Sequence, residues 1–319
     1  MNRLLVTIGI AAALVFAVDA ETIKRLGTID YYIVETSPIV FKGRPWLFEW
    51  IRGKKYAGNA VGMSYFRFRD LETLQDFTPP FAQGQMHFGS AFVDGDRVVV
   101  TGVNKSGGNI FLLTESRDLV NWTKPRAILT GEGWGGYNTS LCRAGNRYVM
   151  VYELGRPEEL VGRKFTMFFA ESDDLHEWHT IPGAVFGREF YTGAPLLRYF
   201  DGMFYFFYID SKDGVFRTRV ARSRDLTAWD ICPTPVMTHD DAADRVIHPK
   251  ARLTETQRTL AESAVNCNVS DLDFCFHEGR LVCAYSWGNQ RGTEFLALGE
   301  VEGMTEQEFC ESFFDGMKK

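Results

Sequence analysis

Three copies of one motif constrain what this chain folds into. Ser116-Arg117-Asp118-Leu119 with Trp122, Ser172-Asp173-Asp174-Leu175 with Trp178, and Ser223-Arg224-Asp225-Leu226 with Trp229 repeat S-x-D-L-x-x-W at spacings of 56 and 51 residues. A weaker copy, Arg69-Asp70-Leu71 with Leu74, precedes them. A repeat of this length marks a unit that cannot bury its own apolar face and must stack on its neighbours. Each copy follows a β-rich run, where a third strand turns into a fourth. There the Ser and Asp bond turn amides and the Trp packs between sheets.

Apolar hairpins recur with the same period. They span 39–50 around Lys42-Gly43, 91–100 around Asp94-Gly95, 141–152 around Gly145-Asn146, 196–208 around Asp201-Gly202 and 272–285 around Glu278-Gly279. Further strand-like sequence follows, as at 110–115, 165–172, 216–223 and 294–298. Five four-stranded antiparallel blades use nearly the whole chain, which predicts an all-β, five-bladed β-propeller. Helical patterning predicts one helix at 254–265, inside a long insertion (232–268) between blades four and five. A second, short C-terminal helix is expected at 305–314, where Phe309 and Phe313 stand i, i+4.

Residues 1–20 combine a basic start, an apolar run and a small-residue cleavage site at Val18-Asp19-Ala20, the pattern of a secretion signal. The apolar run, 4–18, is shorter than the roughly 20 residues a bilayer requires. The expectation is therefore a secreted or periplasmic protein with no membrane span after signal removal, and 21–319 as a single domain. A formal charge of −6 with no Lys/Arg block argues against nucleic acid as a partner. None of the six cysteines forms a C-x-x-C pair, so no metal ligands are assigned and buried free thiols are expected. No cofactor is required, although a structural calcium ion in the channel would be compatible. Oligomeric state is left open.

In a propeller the innermost strands start at one mouth, where the loops between second and third strands also emerge. Counting eight residues back from each hairpin turn gives Glu35, His87, Asn138, Ala194 and Asp271. A one-residue bulge would replace them with neighbours such as Ser37, Ser90, Ser140 and Asp273. The loops add Glu49, Trp50, Asn104, Lys105, Glu153, Asp210, Lys212, Trp287, Asn289, Gln290 and Glu294. Trp134, ahead of the third inner strand, and Tyr191, ahead of the fourth, extend the wall. Carboxylates, amides and aromatics around a concave mouth suit a carbohydrate, since rings stack on sugar faces while acids and amides read hydroxyls.

With these motifs the chain resembles the five-bladed propeller glycoside hydrolases of families 43 and 32. The resemblance runs through the S-x-D-L-x-x-W repeats and the segment Thr192-Gly193-Ala194-Pro195-Leu196. It implies a propeller that acts on glycans. Those families place an Asp before the Pro of the first blade and an acid Glu before a Gly-Pro or Ala-Pro. Here the corresponding residues are Ser37 and Gly193.

Glycoside hydrolysis requires two groups flanking the scissile bond, usually carboxyls. Glu35 and Asp271 are the expected pair, on blades that become neighbours when the ring closes, with His87 standing in for the missing acid. Trp50, Trp134, Asn138, Tyr191, Asp210, Asp273, Trp287, Asn289, Gln290 and Glu294 are the expected substrate-binding residues. The expected activity is cleavage of a plant or algal type oligo- or polysaccharide, with the 232–268 insertion shaping or lidding the site. Two alternatives stand beside it. One is a glycan-binding propeller without catalysis. The other is a lyase in which His87 acts on an acidic sugar neutralised by Lys105 or Arg291.

Overall fold

Two-residue turns close all five expected hairpins, and their glycines explain why. Gly43, Gly95, Gly145, Gly202 and Gly279 all adopt φ between 61° and 83°, in the left-handed region that favours glycine. The computed structural model describes residues 22–53 and 62–317. The expected signal at 1–20 lies outside the described residues.

Strand β1 (Lys24–Tyr31) opens the described chain. A first antiparallel set follows with β2 (Thr36–Phe41), β3 (Arg44–Ile51) and β4 (Tyr65–Asp70), three strands where the repeat predicts four. The second contains β5 (His87–Asp94), β6 (Arg97–Val103), β7 (Ile110–Ser116) and β8 (Arg126–Thr130). The third contains β9 (Gly136–Ala144), β10 (Arg147–Leu154), β11 (Thr166–Ser172) and β12 (His179–Phe186), with the one-turn helix α1 (Glu158–Val161) after β10. The fourth runs β13 (Gly193–Phe200), β14 (Met203–Lys212), β15 (Val215–Ser223) and the short β16 (Asp230–Ile231). Helices α2 (Asp241–Asp244) and α3 (Glu255–Ser263) then precede β17 (Asn268–His277), β18 (Arg280–Gly288) and β19 (Glu294–Glu302), and α4 (Glu306–Ser312) follows. β1 pairs antiparallel with β19, so the first described strand completes the last set, which the repeat does not announce, and one parallel bridge from Phe216 to Asn268 joins that set to the fourth in a single eight-stranded sheet.

The first strands β2, β5, β9, β13 and β17 touch in succession, and β17 touches β2. An apolar cluster fills each space between consecutive sets. Phe48, Phe66, Met86 and Val100 lie between the first and second, and Val103, Leu113, Met150 and Tyr152 between the second and third. Val151, Phe169, Phe206 and Tyr208 follow, then Phe207, Val220, Phe274 and Tyr285, and finally Ile29, Leu47, Tyr65 and Leu296 between last and first. Each large side chain so buried contributes about 1.5–3 kcal/mol of transfer free energy.

The motif acts as expected. Ser116, Ser172 and Ser223 accept from the amides of Leu119, Leu175 and Leu226, which take φ of 62°, 69° and 64°. Asp118, Asp174 and Asp225 each accept from the amides two and three residues on. Trp122 stacks on Phe81, and Trp229 on Phe169, between sets. In the weaker copy the left-handed leucine is Leu74, not Leu71.

Both expected helices form, each opened by a capping box, from Thr254 to Gln257 and from Thr305 to Glu308. All six cysteines are free, five of them buried. The 232–268 insertion contributes no residue to the lining of the central cavity. It straps along β1, with Thr28 donating to the Val246 carbonyl, the buried Arg25 paired to Asp244, and Lys250 reaching the Glu72 carbonyl. No helix among the described residues is long and apolar enough to cross a membrane.

Candidate active site

The inner strands β5, β13 and β17 each carry a bulge at the mouth, where pairing skips between His87 and Ser90, Gly193 and Leu196, and Ser270 and Asp273. The bulged residues Phe88, Ala194 and Asp271 take φ of 53°, 50° and 55°. A bulge re-aims a side chain, and here it turns Asp271 into the central cavity. That cavity is lined by Glu35, Ser37, Ser90, Asn138, Ala194, Asp271 and Asp273 among others. Glu35, Asn138, Ala194 and Asp271, the residues that the hairpin count gives, all line it.

The count misplaces His87. In the second set the glycine occupies the first turn position, so the residue equivalent to Ala194 and Asp271 is Phe88, one place later. His87 faces the space between the first two sets, within 3.3–3.4 Å of the Ser64 hydroxyl and edge-on to Trp50. Burial lowers its pKa, which keeps the ring neutral. It does not line the central cavity.

Four carboxyls from three sets act on one another here. Arg52, just past β3, donates to Glu294 at 2.8 Å and to both Glu35 oxygens at 3.2 Å. Burial pushes the Glu35 carboxyl up, with Arg52 opposing and Glu294 adding to the shift. Burial also lifts Asp271 to about 7, aided by the charges of Glu35 and Glu294. Glu153, at the end of β10, is lifted to about 8 by burial, against a 3.1 Å hydrogen bond from Asn138 and with the Asp271 charge adding. Asp273 lies deeper, tied to Arg198 at 2.7 Å, and burial lifts it to about 6. Among the described residues no group of acidic, His and Cys side chains has the arrangement of a metal site.

No protein-family model and no curated protein matches the chain. Solved structures do. A thermostable family-43 glycoside hydrolase shares 9% identity at TM-score 0.57, over 84% of this chain and 89% of that one. A Bombyx mori family-32 β-fructofuranosidase gives 12% and 0.52, over 87% and 61%. An N-acetylgalactosamine deacetylase from F. plautii, in complex with blood group B trisaccharide, gives 10% and 0.60, over 94% and 100%. The fold is that of the glycoside hydrolase propellers. At such identities the likeness carries the fold alone, and the chemistry must rest on the residues present.

The two positions where those families carry carboxyls are structural in this propeller. The Ser37 hydroxyl accepts from the Ala91 amide at 3.3 Å, bridging inner strands, and Gly193 pairs with Ile209.

The aromatic expectations divide. Trp50 and Trp287 are fully buried, Trp50 against Phe88 and Trp287 stacked on Phe295 with its indole N–H on Thr28, so neither offers a face to sugar. Trp134 packs on Phe111 and Tyr152 between sets. Tyr191 is half-buried at the mouth. Its pKa is raised by burial and by the charges of Glu153, Asp271 and Glu294, which places it beside the acids.

The polar expectations divide too. Gln290 donates to Asn268 and Ser270 and so positions the residue before Asp271. Asn289 builds its own turn by accepting from Arg291 and Thr293. Asp210 stands 3.7 Å from Arg219, and burial raises its pKa. Arg52 and Glu153 were not among the expected catalytic or binding residues, although the loop count puts Glu153 at the mouth, and neither was Tyr32, whose ring lies 5.7 Å from the Arg52 guanidinium. The signal for the first two is their place at or just past the end of a second strand.

Proposed function

We propose that the chain is a five-bladed β-propeller exported as a glycoside hydrolase, with Asp271 and Glu35 flanking the scissile bond and Glu153 as the site's proton reservoir. The observation behind this reading is the set of buried carboxyls around one cavity. Two of them, Asp271 and Glu153, are lifted by burial to about 7 and about 8, while the rise that burial also gives Glu35 is opposed by the Arg52 guanidinium. Glycosidic cleavage needs one protonated and one ionised carboxyl, and environments that separate their pKa values supply that division. In this reading Asp271 donates a proton to the leaving oxygen, and Glu35 acts on the opposite side as base or nucleophile. Half-exposed Tyr191 and Tyr32 offer faces to the sugar.

The absence of carboxyls at Ser37 and Gly193 favours a second reading, a propeller that binds glycan without cleaving it. The deciding experiment measures reducing-sugar release from plant and algal oligosaccharides by the wild-type protein and by folded Asp271→Asn and Glu35→Gln variants. Acetate release from N-acetylated sugars is followed in parallel, because one structural neighbour is a deacetylase. Sugar release abolished by both substitutions supports the hydrolase. Glycan binding without any release supports the binding propeller.

A further inference from the structure

Above the carboxyl cavity the mouth carries an arc of aromatic rings in continuous contact. Ring centroids are 4.4 Å apart from Trp50 to Phe88, 5.5 Å to Tyr137, 4.9 Å to Phe165, 6.1 Å to Tyr191 and 5.7 Å to Phe216. The arc crosses four consecutive sets. All but Trp50 are half-buried and keep part of each ring accessible.

At its Tyr191 end the arc is flanked by basic side chains. Arg163 and Lys164 precede Phe165, the Arg163 amide donates to the Arg188 carbonyl at 2.8 Å, and Lys212 and Arg217 bracket Phe216. Among the described residues, none of these five cations is in an ion pair, although exposed Glu189 and Asp213 share their loops. Asp210 feels Arg217 and Lys212 electrostatically, but its ion pair is with Arg219. Elsewhere arginines such as Arg25, Arg69, Arg97, Arg147 and Arg198 are held by carboxylates. Unpaired cations gathered beside stacking rings form a surface for a ligand that brings its own negative charge.

The cavity has the opposite character. Glu35 and Glu294 share a single cation, the Arg52 guanidinium, so the pair keeps a net negative charge that disfavours an anionic sugar even where Asp271 and Glu153 hold protons. Resting on the reading of this mouth as a glycan site, we infer that the substrate is an uncharged glycosyl unit carried on an anionic glycan. The uncharged unit enters the cavity, and the carboxylated or sulfated remainder lies along Tyr191 and Phe216 against the cations.

Binding tests this without requiring turnover, so a failure of hydrolysis and a failure of the anionic rim give different results. Affinity is measured for the wild-type protein and for the combined Arg163→Gln, Lys164→Gln, Arg188→Gln and Arg217→Gln variant. The ligands are oligogalacturonate, a sulfated galactan oligosaccharide and a neutral arabinan oligosaccharide of matched length. At about 50 mM salt the wild type should bind at least one anionic ligand roughly 10-fold more tightly than the neutral one, and about 0.5 M salt should erase the difference. The four substitutions, at partly or fully exposed positions, should leave the melting temperature in place and remove the preference. Which anionic ligand responds identifies carboxylate or sulfate as the group read. Equal binding of neutral and anionic ligands, or a preference that survives the four substitutions, would overturn the inference.

Discussion

Asn138 donates its side-chain amide to Oε2 of Glu153 across 3.1 Å, and this bond opposes the burial that lifts the acid to about 8. A hydrogen bond to a carboxylate favours its charged form, so Asn138→Leu moves Glu153 further up. Loss of about 1 kcal/mol corresponds to roughly 0.7 of a pH unit. If Glu153 holds the site's proton, the alkaline limb of the kcat/KM profile shifts upward by that amount while the acid limb stays. A lower rate with an unmoved alkaline limb would make Asn138 a sugar contact instead.

The raised carboxyls also set how stability depends on pH. Glu153, Asp271 and Asp273 ordinarily titrate at 4.5, 3.8 and 3.8 and are lifted to about 8, 7 and 6 in the fold. Between those limits the native state holds protons that the unfolded chain has released, so stability falls as pH rises from about 4 to about 8. Glu153→Gln removes one contributor. Its melting temperature should decline less steeply than wild type across this range and exceed it above pH 8 by a few degrees, given roughly 2–4 °C per kcal/mol in a large domain. Parallel curves for the two proteins would show that Glu153 is not protonated in the native state.

Arg52 is the partner of both Glu35 and Glu294, and all three side chains are largely removed from solvent. Removing one member of a buried ion pair leaves uncompensated charge and costs about 3–5 kcal/mol. Arg52→Met should therefore unfold at markedly lower denaturant, and adding Glu294→Gln should recover part of the loss. A double-mutant cycle measures this. A cost under about 1 kcal/mol, typical of solvated pairs, would mean that the mouth is wetter than its burial implies.

The hairpins and motifs were readable because turn glycines and the S-x-D-L-x-x-W spacing act locally. The register of four inner-strand residues followed from them. His87 was misread because a glycine at the first turn position looks the same in sequence as one at the second, and the difference is a single residue that decides which face a side chain takes. Trp50 and Trp287 were misread for another reason. An aromatic at a strand end serves equally as a sugar platform or as packing between sets, and only the neighbouring sheet decides. Arg52 meets Glu294 across sets, through a contact that no local spacing encodes. The strap formed by the 232–268 insertion depends on Asp244 finding Arg25, a partner 219 residues away.

The motif itself should prove structural and not catalytic. The Trp178 indole N–H donates to the Leu175 carbonyl at 3.1 Å, and its ring lies in the cluster between the second and third sets. Trp178→Ala leaves a cavity and should cost about 3–5 kcal/mol. Asp174→Ala and Asp225→Ala remove acceptors from two turn amides each, so each should lower the melting temperature. Because the two turns lie in different sets and share no partner, their effects should add. None of these side chains lines the carboxyl cavity, so kcat and KM of the folded variants should match wild type. A change in KM at Asp174 or Asp225 would show that the turns transmit to the mouth through β11 or β15, and would give the repeat a functional role beyond stacking the sets.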